Sequence, residues 1–219
     1  MFFTLFHWFI KITGFLPMLI IFRNKIYYED RTVQGRKIKG SAIVVANHNA
    51  LIDFAVILFT FPFNTLRCVV AEVLYHKNFI LRCFMKMLGT LEVNRREYNV
   101  AFLKRCKKVI DRGGVVEIFP EGRLPDKDGD GGLLPFKPGA VYLALETNTP
   151  IIPVYNARRG MSTKRSDIII GKPIYLNELY DNSSSKKENI DNMTLLLREK
   201  ISDLGVQLNE KKQEEKKKK

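Results

Sequence analysis

A chain of 219 residues is long enough for one sizeable α/β domain and too short for two. With 46% apolar and 27% charged residues, 14 Gly and 9 Pro, its composition excludes a disordered polymer and a disulfide-stapled miniprotein. The net charge of +13 implies attraction to polyanions, nucleic acid or an anionic membrane, and six Lys with two Glu in Lys211–Lys219 account for only +4 of it.

Residues 1–22, MFFTLFHWFIKITGFLPMLIIF, lack the basic n-region and small-residue cleavage site of a secretory signal. A straight helix of this length reaches about 33 Å, but Lys11 and Pro17 interrupt the apolar run. Three readings stand: a re-entrant or interfacial anchor, a single span, or a core helix. The first two put the protein on a membrane. The basic residues that follow, Arg23, Lys25, Arg31, Arg36, Lys37 and Lys39, suit anionic head groups and a cytoplasmic face. Residues 23–40 are therefore read as a basic connector.

Ser41–Ala46 is a β-branched run that reads as a buried strand entering a loop at Asn47-His48. Phe54–Phe61 reads as a helix stopped by Pro62, and Leu66–Val70 and Gly89–Val93 as strands. Glu97–Arg112 has apolar residues at helical spacing, many basic ones, and Gly113-Gly114 as its stop. Strand, helix and strand follow at Val115–Phe119, Gly139–Glu146 and Ile151–Tyr155, with one or two more strands in Asp167–Leu176. Ile190, Met193, Leu197, Ile201 and Leu204 form the stripe of a last helix, and residues 208–219 read as a charged, disordered tail. The alternation predicts a single α/β domain: a mixed, largely parallel central sheet flanked by helices, preceded by the apolar membrane-associating segment.

Cys68, Cys83 and Cys106 form no Cys-x-x-Cys pair and read as reduced thiols. Of the three histidines, His48 has a carboxylate near it in sequence, Asp53. On one continuous helix the two would be about 140° apart, so they meet only if His48 stays in the loop and Asp53 starts the helix. A carboxylate on one imidazole nitrogen fixes the tautomer and leaves the other nitrogen to take a proton from a hydroxyl. A chance His and Asp at this spacing is common, and the spacing alone favours a satisfied structural histidine. Phe119-Pro-Glu-Gly-Arg123 presents Glu121 and Arg123 at a strand mouth, either for phosphate, with Arg95, Arg96 and Lys137 adding charge, or as a surface salt bridge. Asp126–Gly131 imitates the opening of a calcium loop, but its twelfth position is Lys137 instead of a bidentate Glu, so no metal site is expected.

Taken together, Asn47-His48-Asn-Ala-Leu-Ile-Asp53, Gly89-Thr-Leu-Glu-Val-Asn-Arg95, Phe119-Pro-Glu-Gly122 and Ile151-Ile-Pro-Val154 resemble the four ordered blocks of the glycerolipid acyltransferases, most of all the 1-acyl-glycerol-3-phosphate (lysophosphatidic acid) acyltransferases. The resemblance assigns residues 41–207 to an acyltransferase domain. It implies transfer of a fatty acyl group from an acyl-CoA or acyl-carrier-protein thioester to the sn-2 hydroxyl of a lysophospholipid, with no bound cofactor. It makes His48 the general base and Asp53 its orienter, with Arg95, Glu121 and Gly122 lining the acceptor site. Arg123 departs from the family pattern by directly following Gly122, and Glu92 stands where a large apolar residue is usual, which leaves the acceptor open between lysophosphatidic acid and another lysophospholipid. A non-enzymatic binder of anionic lipid is the rival reading. Nucleic acid is not an expected partner, because no reading motif accompanies the charge.

Overall fold

The structure, a computed structural model, describes residues 2–22, 24–93, 100–125, 132–157 and 166–218. Its centre is β2 (Ala42–Ala46), buried at every position. Strands β5 (Val115–Ile118) and β6 (Ile151–Asn156) flank it, both parallel. Beyond β5 lie β3 (Leu66–Ala71) and the edge strand β4 (Leu91–Val93), parallel as well. Beyond β6, β7 (Asp167–Ile170) is antiparallel to it, and β1 (Lys25–Tyr28) is parallel to β7. The order is β1-β7-β6-β2-β5-β3-β4, a mixed and largely parallel sheet as expected. Parallel strands covered on both faces need apolar residues on both, which is why Val-Val and Ile-Ile runs form them.

On one face α1 (Phe2–Phe22) and α2 (Asp53–Thr60) cover Ala42, Val44, Ile152 and Val154, with Val56 and Ile57 of α2 fully buried. On the other, α5 (Val100–Ile110), α6 (Gly139–Thr147) and α7 (Lys186–Lys217) cover Ile43, Val45, Val116 and Ile118. The predicted stripe of α7, Ile190 to Leu204, is the buried one. Helices α3 (Glu72–Lys77) and α4 (Phe79–Leu88) pack beside β3, where Tyr75 and Met85 meet Cys68 and Val70.

Several expectations change. The connector 23–40 contains β1, so its first half belongs to the sheet. Residues 72–88, given no element from sequence, hold α3 and α4; the Asn78 side chain caps α4 by accepting from Leu81 N–H, and Gly89 stops it at φ 69°. The tail does not fray at 208. Helix α7 runs on to Lys217 because Leu208 is buried, Lys212 pairs with Asp167 at 2.6 Å, and Glu215 accepts from Lys25 and Tyr27 of β1. The apolar leader is one unbroken helix despite Pro17, and no helix among the described residues is long and apolar enough to cross a membrane. The calcium-like stretch Asp126–Gly131 and residues Arg95 and Arg96 lie outside the described residues.

Candidate active site

Register brings the sequence blocks to one edge. Ala46 pairs with Val154 and Val45 with Ile118, so β2, β5 and β6 end together, and the chain leaves that edge as Asn47-His48, Phe119-Pro-Glu-Gly122 and Asn156. This is the carboxyl edge of the parallel strands, where open α/β sheets place their ligands.

Asp53 opens α2 and is completely buried. Its Oδ2 lies 3.2 Å from His48 Nδ1 and accepts the backbone N–H groups of Asn49 at 2.6 Å and Ala50 at 2.7 Å. Its Oδ1 accepts from Asn156 Nδ2 at 3.0 Å. A carboxylate so occupied can take only a proton-bearing Nδ1 from the imidazole, which leaves Nε2 as the acceptor. The Phe119 ring stacks on the imidazole, 4.5 Å between centroids, and fixes the ring plane. His48 and Asp53 therefore meet in the loop-to-helix arrangement that their spacing required.

Glu121 is also buried, and both its oxygens are taken by backbone, Oε1 by His48 N–H at 2.8 Å and Oε2 by Leu134 N–H at 3.0 Å. Burial raises its pKa and these two donors pull the other way. Its observed contacts tie the third block to the histidine loop. Gly122 sits at φ 66°, which is why glycine is needed there; a Cβ would meet only the outer atoms of the flexible Lys137 side chain, at 3.2–3.4 Å. Lys137 thus lies across the turn, its own N–H donating to Pro120 O at 2.9 Å. Arg123 is exposed beside it. Arg95 falls outside the described residues; β4, which precedes it in sequence, ends at Val93 on the same edge.

Sequence reading missed the amide bracket behind this loop. Asn47 Oδ1 accepts from Asn156 N–H at 2.7 Å, and the Nδ2 groups of Asn47 and Asn49 both donate to Asn156 O. Ser166 Oγ in turn donates to Asn156 Oδ1 at 2.9 Å. The available signal was positional: Asn156 lies just past Ile151–Val154, on the strand next to β2. Among the described residues no group of three or more His, Cys, Asp or Glu could hold a metal ion.

An α/β sheet carrying a His–Asp pair on its carboxyl edge is the architecture that the four blocks imply, and the Acyltransferase family model matches residues 24–156; the chain belongs to that family. Among curated relatives, the 1-acyl-sn-glycerol-3-phosphate acyltransferase of Borreliella burgdorferi is 30% identical over 74% of this chain and 65% of its own length. That of Limnanthes alba is 32% identical over 53% of this chain and 41% of its own. The chain thus spans less than two thirds of these relatives. The crystal structure of the 1-acyl-sn-glycerophosphate (LPA) acyltransferase PlsC from Thermotoga maritima superposes with a TM-score of 0.64 at 20% identity, covering 90% of this chain and 78% of that one. It has the same fold.

Proposed function

We propose that this protein moves a fatty acyl group from an acyl-CoA or acyl-carrier-protein thioester to the sn-2 hydroxyl of 1-acyl-glycerol-3-phosphate, giving phosphatidic acid. The observation that carries this is His48 held by Nδ1 on a carboxylate already anchored by three other donors, at the edge where ligands bind. Nε2 takes the hydroxyl proton as the oxygen attacks the thioester carbonyl. The tetrahedral intermediate then collapses, the C–S bond breaks, and the imidazolium returns the proton to the leaving thiolate. The acceptor supplies its own nucleophile, so no serine or cysteine is needed. Arg123 and Lys137, exposed beside the third block, and Arg95, which follows β4 in sequence, are the cations for the acceptor phosphate; Gly122 allows the left-handed turn that Lys137 crosses, and Glu121 holds that turn to the histidine loop.

Docking on anionic lipid at the cytoplasmic face is part of the same proposal, and the outward face of α1 supports the docking itself. The helix turns His7 and Lys11 into the protein and Leu5, Phe9, Ile12, Leu16 and Ile20 outward, the reverse of a helix made for water. Helix α4, packed against it, adds Phe79 and Ile80, both more than three quarters exposed. A fully buried side chain of this kind is worth roughly 1.5–3 kcal/mol, and an acyl-chain surface is where this set gains it.

General-base assistance is typically worth about 10² to 10⁴ in rate. His48→Ala is expected to lose that much kcat with the fold intact, and Asp53→Asn a comparable part of it. The assay is purified protein in detergent with a panel of lysophospholipids and both thioester donors, read by lipid mass spectrometry. Full turnover by His48→Ala overturns the mechanism; lipid binding without acyl transfer by the wild type supports the non-enzymatic reading instead.

A further inference from the structure

Lys11, the residue that breaks the apolar leader, is only 5% exposed. Its ammonium donates to Phe61 O at 2.6 Å and to Asn64 O, both in the turn that ends α2. Arg36 serves the last turn of the same helix, Nε to Thr60 O and Nη2 to Phe59 O, each at 2.9 Å. A helix leaves its last carbonyls unpaired and its C-terminal end partially negative, so a buried Lys11 and a half-buried Arg36 there are a built clamp. The helix they hold is short, eight residues or about 12 Å, packed through Val56–Phe59, and its first residue is Asp53.

Resting on the acyl-transfer reading above, we infer that Lys11 is a positioning residue for the transfer site: by holding the C-cap carbonyl of α2 and the turn behind it, beside Arg36 on the last helical carbonyls, it ties the seating of α1 to the geometry of the His48–Asp53 pair. Displacing a reacting group by about 1 Å costs on the order of 10² in rate, and a close-packed rod of two turns transmits such a shift. The clamp also titrates. Burial lowers the Lys11 pKa to about 7, Glu117 from β5 opposes this, and Arg36 adds to it. His7, on the same helix, is held down to about 3, so it stays neutral through this window. The other ionisable groups facing this interior are Glu117 itself, whose carboxyl burial pushes well up, Cys68 from β3, whose thiol burial also pushes up, Arg67 from β3 near His7 and Phe3, and Asp53. Trp8, the only tryptophan, has the Lys11 ammonium 5.7 Å from its ring centroid and reports on it directly.

The test compares wild type, Lys11→Met and Lys11→Arg in detergent micelles, measuring kcat, acceptor KM and Trp8 emission against pH. Lys11→Met is expected to lower kcat about tenfold at unchanged KM, and Lys11→Arg to stay within about threefold of wild type, since a guanidinium reaches paired carbonyls as Arg36 does. Wild-type Trp8 emission should titrate near pH 7 with a parallel fall in kcat above it, and both features should vanish in Lys11→Met. A Lys11→Met enzyme with wild-type kcat and pH profile overturns the inference, as does a wild-type kcat that ignores the Trp8 titration, which decides the matter even if Lys11→Met does not fold. An active His48→Ala enzyme overturns the acyl-transfer reading itself.

Discussion

Asp53 accepts four hydrogen bonds, which makes it the most constrained polar group of the site and fixes the histidine loop as well as the imidazole. The pairing of His48 with Asp53 was legible through the resemblance of the four ordered blocks; spacing and helix geometry added only the arrangement in which the two can touch. Asn156 was not, since an amide at a strand end has no chemical signature and only the β2–β6 register puts it beside Asn47. Lys11 was legible as a break in the apolar run, but not that its ammonium lies inside the protein, bonded to Phe61 O and Asn64 O. A second buried cation-former, His7, has no hydrogen bond at either nitrogen, the nearby Leu88 carbonyl lying outside bonding geometry. Because its pKa falls from 6.5 to about 3 on folding, mainly through burial, the unfolded chain binds a proton that the folded one does not between those values. Stability should therefore fall as pH drops from 6.5 towards 3. His7→Phe should flatten that decline, by roughly 2 kcal/mol in denaturation series at pH 6 and pH 4; parallel pH dependences in the two proteins would rule the assignment out.

At the scale of elements, strands with continuous apolar runs and helices with a clear stripe were readable from sequence, whereas β1 was hidden because four residues in a basic stretch carry little pattern. The tail was misjudged by composition: Lys and Glu near a terminus suggest disorder, but here they pair with β1 and β7 across the sheet edge. Ending the chain at residue 207 should consequently cost about 2–4 kcal/mol, most of it from the fully buried Leu208, and lower the melting temperature by about 5–10 °C. A dispensable tail would leave the melting temperature unmoved. On α1 the outward face is separable from the inward one. Replacing Leu5, Phe9 and Ile12 together by Ser should release the protein from anionic vesicles in flotation assays while leaving the circular dichroism spectrum unchanged.

For the whole molecule, the alternation of strands and helices indicated the layers, but strand order and direction came from packing. The reversal between β6 and β7 has no sequence marker: a short connection there permits the antiparallel pairing, and hydrophobic runs read the same in either direction. That reversal also decides where the leader enters the sheet. Because β1 follows β7 and opposes β6, its first residue, Lys25, lies at the edge where β2 and β5 end, so α1 delivers the chain to the edge that carries His48 and Asp53. A lipid-seated α1 would then leave His48 facing molecules that already reside in the same leaflet. Encounter becomes diffusion in a plane, and the governing concentration is the acceptor's mole fraction among the surrounding lipids. Diluting the acceptor with inert detergent at constant bulk concentration should slow turnover in proportion, and a rate indifferent to that dilution would place the acceptor's approach through water.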